Sequence, residues 1–197
     1  PLVMYYNRTQ LAAKNISRPP STWEAVLALS PTLTTISSDQ RITRSSIALG
    51  EYNNVNNARA IISLLMMQGG TRISYADDNG FLRSALKTDP ANQEAGSVPA
   101  ESAVSFYAQF ANPAKTVFSW SSSLRPSKEA FAAQDVSLYL GFASELPSIQ
   151  ESSPNLEMDM ARVPQPGTND TRMTYGKLYA FAIPKANNAS NTPAALA

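Results

Sequence analysis

The tightest constraint on the fold lies between Thr116 and Ser144, TVFSWSSSLRPSKEAFAAQDVSLYLGFAS. An extended aromatic run centred on Trp120 leads into a short helix around Phe131. A strand, Val136–Leu140, follows and ends on Gly141, Phe142, Ala143 and Ser144. A strand that runs out into glycine, an aromatic ring and small hydroxyls sets a side-chain platform at its C-terminal end, where open α/β sheets bind ligands. Spacing alone fits an ordinary α/β unit closed by a Gly turn equally well. Strand-like and helix-like segments alternate on either side, which predicts an α/β fold with a layered sheet and flanking helices. At 197 residues the chain has enough surface to bury one sizeable core, a single unit over 1–197.

In chain order, Leu2–Tyr6 reads as a strand feeding a helix capped by Asn7 that runs from Arg8 to Lys14. Pro19 and Pro20 make a stiff link, since each proline pushes its predecessor out of the helical region. Ser21-Thr22-Trp23-Glu24 reads as a capping box with Ser21 as the cap, and Trp23, Val26 and Leu27 follow at core spacing. Pro31 should break that helix near Ser30. Ser45–Leu49 is a second strand ending on Gly50. An Asn-rich link follows, Glu51 to Asn57, and then a helix from Ala58 to Gln68 closed by Gly69-Gly70.

Asp77-Asp78-Asn79-Gly80 is a turn, and 88–99, with Pro90, Gly96 and Pro99, a surface loop. Ala103, Phe106, Tyr107, Phe110 and Ala111 form a helical core stripe stopped by Asn112-Pro113. A polar helix from Ser144 to about Ser153 stops at Pro154. Leu156, Met158 and Met160 then alternate as a half-buried strand, and Met173–Ile183 has a long aromatic strand pattern.

Composition narrows the chemistry. There is no histidine, which removes Ser-His-Asp and Cys-His nucleophile systems and the commonest transition-metal ligand. With no cysteine there is neither disulfide nor thiolate zinc site, and an enzyme would have to rest on carboxylates, Lys, Tyr or a cofactor; the expectation is no metal site and no cofactor. Sixteen Lys and Arg balance fifteen Asp and Glu, with no basic patch to track phosphates, so nucleic acid is not an expected partner. Charged residues make up 16% against a usual fraction of about 25%, while Ser, Thr and Asn are plentiful. Uncharged polar surface suits hydroxyl-rich ligands, and it suits an exported protein as well. No apolar run approaches the roughly 20 residues of a membrane helix.

The chain opens directly on the strand-like PLVMYYN and closes on TPAALA, where Thr192 and Pro193 suit the start of a helix. We expect a segment of a longer protein, with a signal peptide or lipid anchor upstream.

The run AFAAQDVSLYLGFASELPSI resembles the family 1 extracellular solute-binding proteins of ABC importers, the maltose-binding-protein-like group. Gln134 stands where that pattern has Gly, and Ala143 where it often has Trp. Tyr6-Asn7, Pro19-Pro20, Thr22-Trp23-Glu24, Val163-Pro164-Gln165 and Tyr175-Gly176 match further family features. The resemblance implies most of the C-terminal lobe of a two-lobed, type II periplasmic-binding-protein-like fold, the N-terminal lobe being a missing partner. It further implies a non-catalytic receptor outside the membrane that captures a small-molecule solute, commonly a carbohydrate, and hands it to a transmembrane ABC permease.

A sugar site needs aromatic faces for C–H surfaces and amides or hydroxyls for OH groups. The candidates are Tyr52, Asn53 and Asn54 from the first loop, Trp120 and Ser121 from the second, Phe142 and Ser144 from the third, and Tyr175. The Asn-rich link also has a plain explanation, since Asn caps helices and bends turns. Trp120 stands out because serines flank it, which predicts an exposed stacking platform. Two rival readings remain. A carboxylate-based glycosidase would draw on Glu51, Glu101, Glu145 and the Asp77/Asp78 pair, although Glu145 is also explained as a first-turn acid at a helix N-terminus. A static cell-surface module would need no hinged cleft.

Overall fold

The computed structural model describes residues 1–86, 99–167 and 172–181. A five-stranded sheet carries the architecture. Its strands, in chain order, are β1 (Leu2–Asn7), β2 (Thr35–Ile36), β3 (Ile42–Ile47), β6 (Val136–Phe142) and β7 (Met158–Arg162), with spatial order β2-β3-β6-β1-β7. A separate hairpin joins β4 (Ser74–Ala76) to β5 (Leu82–Ser84) across the predicted Asp77–Gly80 turn.

The pairing decides where a site can form. β3 and β6 run parallel, with Ser45 opposite Val136 and Ile47 opposite Leu138. β1 is antiparallel to both its neighbours, so Leu2 lies opposite Phe142 and Val3 opposite Arg162. The C-terminal ends of β3, β6 and β7 and the start of β1 therefore share one edge of the sheet. Parallel neighbours need a long crossover, and here it includes three of the chain's helices.

The helices are α1 (Arg8–Ala12), α2 (Trp23–Leu33), α3 (Ala58–Gln68), α4 (Pro99–Ala108), α5 (Ser127–Ala132) and α6 (Leu146–Ser152). α2 packs on β3, α5 on β6, and α3 on α4. Every residue of β6 is buried, as expected of a central strand covered on both faces. Tyr5, Phe131 and Tyr139 stack at its heart, with ring centroids 5.7–6.2 Å apart. Fully burying a side chain the size of Leu138 or Phe131 contributes about 1.5–3 kcal/mol each.

Several expectations hold and others shift. The helix over Ala58–Gln68 is as predicted, and Trp23, Val26, Ala103, Tyr107 and Phe110 are core. The cap of α2 is Thr22, not Ser21. The Thr22 hydroxyl accepts from the Ala25 N–H at 3.2 Å, while the Ser21 carbonyl accepts from Gln165 N–H.

Pro31 does not break α2, which continues to Leu33. It stands in the last turn, where little hydrogen-bonded helix remains to be disrupted. β3 begins and ends earlier than the predicted Ser45–Leu49. Gly141 lies inside β6 rather than at a turn, and it is glycine there because a Cβ would sit 2.5 Å from the Tyr139 ring.

The predicted strand at Met173–Ile183 is absent over residues 172–181, which form no ladder, and its last two residues lie outside the described residues. So do the helix expected at Thr192 and all of the 88–99 loop except Pro99, which opens α4.

Candidate functional site

The shared edge carries three loops. After β3 the chain passes Gly50, in a left-handed conformation at φ +99° and pressed against Ala111, and enters the Asn-rich link. After β6 it makes a single 3₁₀ turn, Ala143–Glu145. The third segment, 172–177, is tied to the sheet by hydrogen bonds. Leu2 N–H donates to the Tyr175 carbonyl at 2.7 Å, and the Thr174 hydroxyl donates to the Leu2 carbonyl at 2.7 Å. Two glutamine side chains hold its start: Gln165 exchanges bonds with Met173, and Gln68 donates to the Met173 carbonyl while accepting from the Trp23 indole.

A carboxylate bracket locks the first two loops together. Glu145 accepts from Asn57 Nδ2 at 3.0 Å, from the Phe142 N–H at 2.8 Å and from the Tyr139 hydroxyl at 2.6 Å. Asn57 is the residue before α3 yet makes no side-chain cap there. Burial, with the Glu145 charge beside it, holds the Tyr139 phenol neutral far above its ordinary range. Tyr5, which donates to the Phe142 carbonyl at 2.8 Å, is pushed up to about 12 by burial and then by Glu145. The ends of β6 and β1 are thus rigid, which a pre-organised binding surface requires.

The predicted site residues divide. Tyr52, 61% exposed, and Asn53 stand free on the first loop. Ser144 is exposed just beyond β6, and half-buried Tyr175 lies with its ring 6.4 Å from that of Phe142. Phe142 is only 7% exposed and the Lys177 ammonium sits 4.9 Å from its ring centroid, so it forms the floor rather than a platform.

Trp120 is a correction, for it is 0% exposed and belongs to the core. The Phe110 carbonyl accepts from both Ser119 and Trp120 N–H groups, and the Ser119 hydroxyl donates to the Ile47 carbonyl, drawing the segment onto the sheet. The indole's one polar atom donates to Asn54 Oδ1 at 3.0 Å, so the whole ring can be buried without an orphaned donor.

Asn54 is consumed by the same brace: besides accepting from Trp120, its amide donates to the Ser121 and Leu124 carbonyls, both at 2.9 Å. The Ser121 hydroxyl pairs with that of Ser123 at 2.7 Å. Asn56 likewise caps α5 from a distance, accepting from Lys128 N–H at 2.9 Å and from the Ser127 hydroxyl.

Sequence reasoning missed Asn57, Tyr139 and Lys177, and read Glu145 as a first-turn acid or a candidate glycosidase carboxylate, not as a bracket between loops. Four described surface hollows of about 400–520 Å³ lie elsewhere, and none is lined by Tyr52, Phe142, Ser144 or Tyr175. Among the described residues no group of three or more acidic side chains converges as metal ligands, and no helix is long and apolar enough to cross a membrane. Asp77 is held below the usual carboxylate range, first by Arg83 at 2.8 Å and then by backbone N–H groups.

The mixed sheet with flanking helices matches part of the fold of type II periplasmic binding proteins. The chain belongs to the bacterial extracellular solute-binding protein family, whose model matches residues 1–197.

Three solved structures are similar in fold. A Thermotoga lettingae ABC transporter solute-binding protein bound with alpha-D-tagatose has TM-score 0.62 and 14% identity, covering 83% of this chain and 39% of its own. The maltose/maltodextrin-binding domain MalE of Bdellovibrio bacteriovorus, bound to maltotriose, has TM-score 0.62 and 12% identity, covering 84% and 37%. The Thermus thermophilus maltotriose-binding protein, bound with maltotriose, has TM-score 0.56 and 18% identity, covering 89% and 39%. The chain thus spans about two fifths of each of these proteins. No curated protein matches it in sequence.

Proposed function

We propose that the chain is one lobe of a longer, two-lobed receptor that captures a sugar or oligosaccharide outside the membrane, in the periplasm or at a cell surface to which an upstream segment anchors it, and delivers it to a transmembrane ABC permease. The wall it contributes is the loop-bearing edge of the sheet, with Tyr52 and Asn53 on one side and Ser144 and Tyr175 on the other, over a floor of Phe142. Asn54, Trp120 and Ser121 support that wall from behind. The carrying observation is that an exposed tyrosine, an amide and hydroxyls without hydrogen-bond partners among the described residues stand on a rim made rigid by the Glu145 bracket. Their pairing groups suit a polyol, and a site built to pair hydroxyls rejects analogues that lack them.

The role is non-catalytic. Glu145 spends its oxygens on three internal bonds, and Asp77 is held acidic by Arg83, whereas a glycosidase needs one carboxyl with a raised pKa. The test is a thermal-shift panel of mono- and oligosaccharides on the full-length protein. A binder raises the melting temperature with concentration and is recovered chemically unchanged. A hydrolysed sugar, or no shift across the panel, contradicts the proposal.

A further inference from the structure

Among the described residues, one cation on the proposed wall has no ion-pair partner. Lys177 follows the strapped residues Thr174 and Tyr175, and its ammonium rests 4.9 Å from the centre of the Phe142 ring. It takes part in none of the ion pairs among the described residues, which join Asp39 to Arg41, Asp77 to Arg83 and Asp135 to Arg125. The acid in the adjoining turn, Glu145, is committed to Asn57, Tyr139 and the Phe142 N–H. Glu51, on the first loop, is in no ion pair among the described residues either.

A lysine on an open surface normally samples many rotamers. Here the ammonium is held over the face of the Phe142 ring, and the N–H donors not directed at the ring remain available. The Tyr175 ring lies 6.4 Å from that of Phe142 and Ser144 is exposed two residues beyond it, and neither hydroxyl is spent on a hydrogen bond among the described residues.

We propose that this wall recognises an acidic sugar, a uronate-type ring or a chain carrying one, whose carboxylate bonds to Lys177 while Ser144 and Tyr175 pair with neighbouring ring hydroxyls. A neutral sugar would have to displace water from an ammonium and offer only a weak acceptor in return. A carboxylate forms a charge-assisted bond, roughly twice as strong as a neutral one. The proposal rests on the solute-binding reading of the rim and adds the charge of the solute.

The experiment is calorimetric titration of the full-length protein with matched pairs: glucose and glucuronate, galactose and galacturonate, and galactobiose and digalacturonate. Uronates are expected to bind at least about tenfold tighter than their neutral partners, with the preference shrinking as salt rises. Lys177→Gln should abolish that preference, and Lys177→Arg should keep most of it, both without loss of melting temperature.

Neutral sugars binding as tightly as the uronates, or a preference that survives Lys177→Gln, would overturn the assignment of Lys177 while leaving the rim a sugar site. Failure of both classes to bind would overturn the solute-binding reading along with it.

Discussion

Trp120 and Tyr52 are two aromatic residues set among small polar neighbours, and they meet opposite fates. Tyr52 stands on the first loop with most of its surface in water, while Trp120 is sealed beneath the sheet's covering segment. What separates them is where the nearby polar groups find partners. Ser119 and Asn54 beside Trp120 are spent on the backbone of Phe110, Ile47, Ser121 and Leu124, so they pull the ring inward. Asn53 and Tyr52 find no such partners among the described residues and remain on the surface. A polar context signals exposure only when its hydrogen bonds are not satisfied internally.

The largest effect is expected at the buried member of this pair. Trp120→Ala should destabilise the fold by about 3–5 kcal/mol, the range for emptying a buried aromatic site, read as a drop in the urea midpoint. An unchanged midpoint would place the indole outside the core. Tyr52→Ala, by contrast, should change stability by no more than about 0.5 kcal/mol.

Next comes alkaline titration. The Tyr5 and Tyr139 phenols ionise less readily folded than unfolded. Their contribution is therefore fully present below the unfolded value near 10 and is lost as pH rises above it toward their folded values. Stability should be level from neutral pH to about 9 and fall steeply beyond 10. Tyr139→Phe should flatten that fall. Tyrosinate absorbance rising at pH 10 to the full count of eight tyrosines, with the fold intact, would contradict it.

A smaller effect tests the bracket that makes the rim rigid. Asn57→Ala removes the donor between the two loops and should cost about 1–3 kcal/mol, the penalty for leaving a partly buried acceptor short of a partner. Hydrogen exchange should speed up first at Phe142 and Glu145. A change spread evenly over the sheet would mean that Asn57 serves the helix end instead.

The elements that hydrophobic periodicity dictates were legible in the sequence: α3, the α4 stripe, the largely apolar β6 and the sheet-with-helices class. β6 gives its burial away because a strand covered on both faces has no polar register. What the sequence concealed are the long-range polar bonds. Nothing local tells that Asn57 serves Glu145, 88 residues away, instead of capping α3. Nor does anything local tell that Asn54 serves the Trp120 indole.

The aromatic pattern after Met173 looked like a strand, but its backbone is held by Gln68, Gln165 and Leu2 rather than by a neighbouring ladder. At Gly141 the residue type was informative, but for a different reason: two tyrosine rings occupy the place of a side chain.

The contrast between the two aromatics is tested most directly by titrating the full-length protein, and its Tyr52→Ala/Ser144→Ala variant, with whichever sugar gives the largest thermal shift. The account predicts an unchanged melting temperature without ligand and at least tenfold weaker binding, about 1.4 kcal/mol or more. Binding as tight as that of the unaltered protein would contradict it, because the exposed rim would then not be the surface that holds the solute.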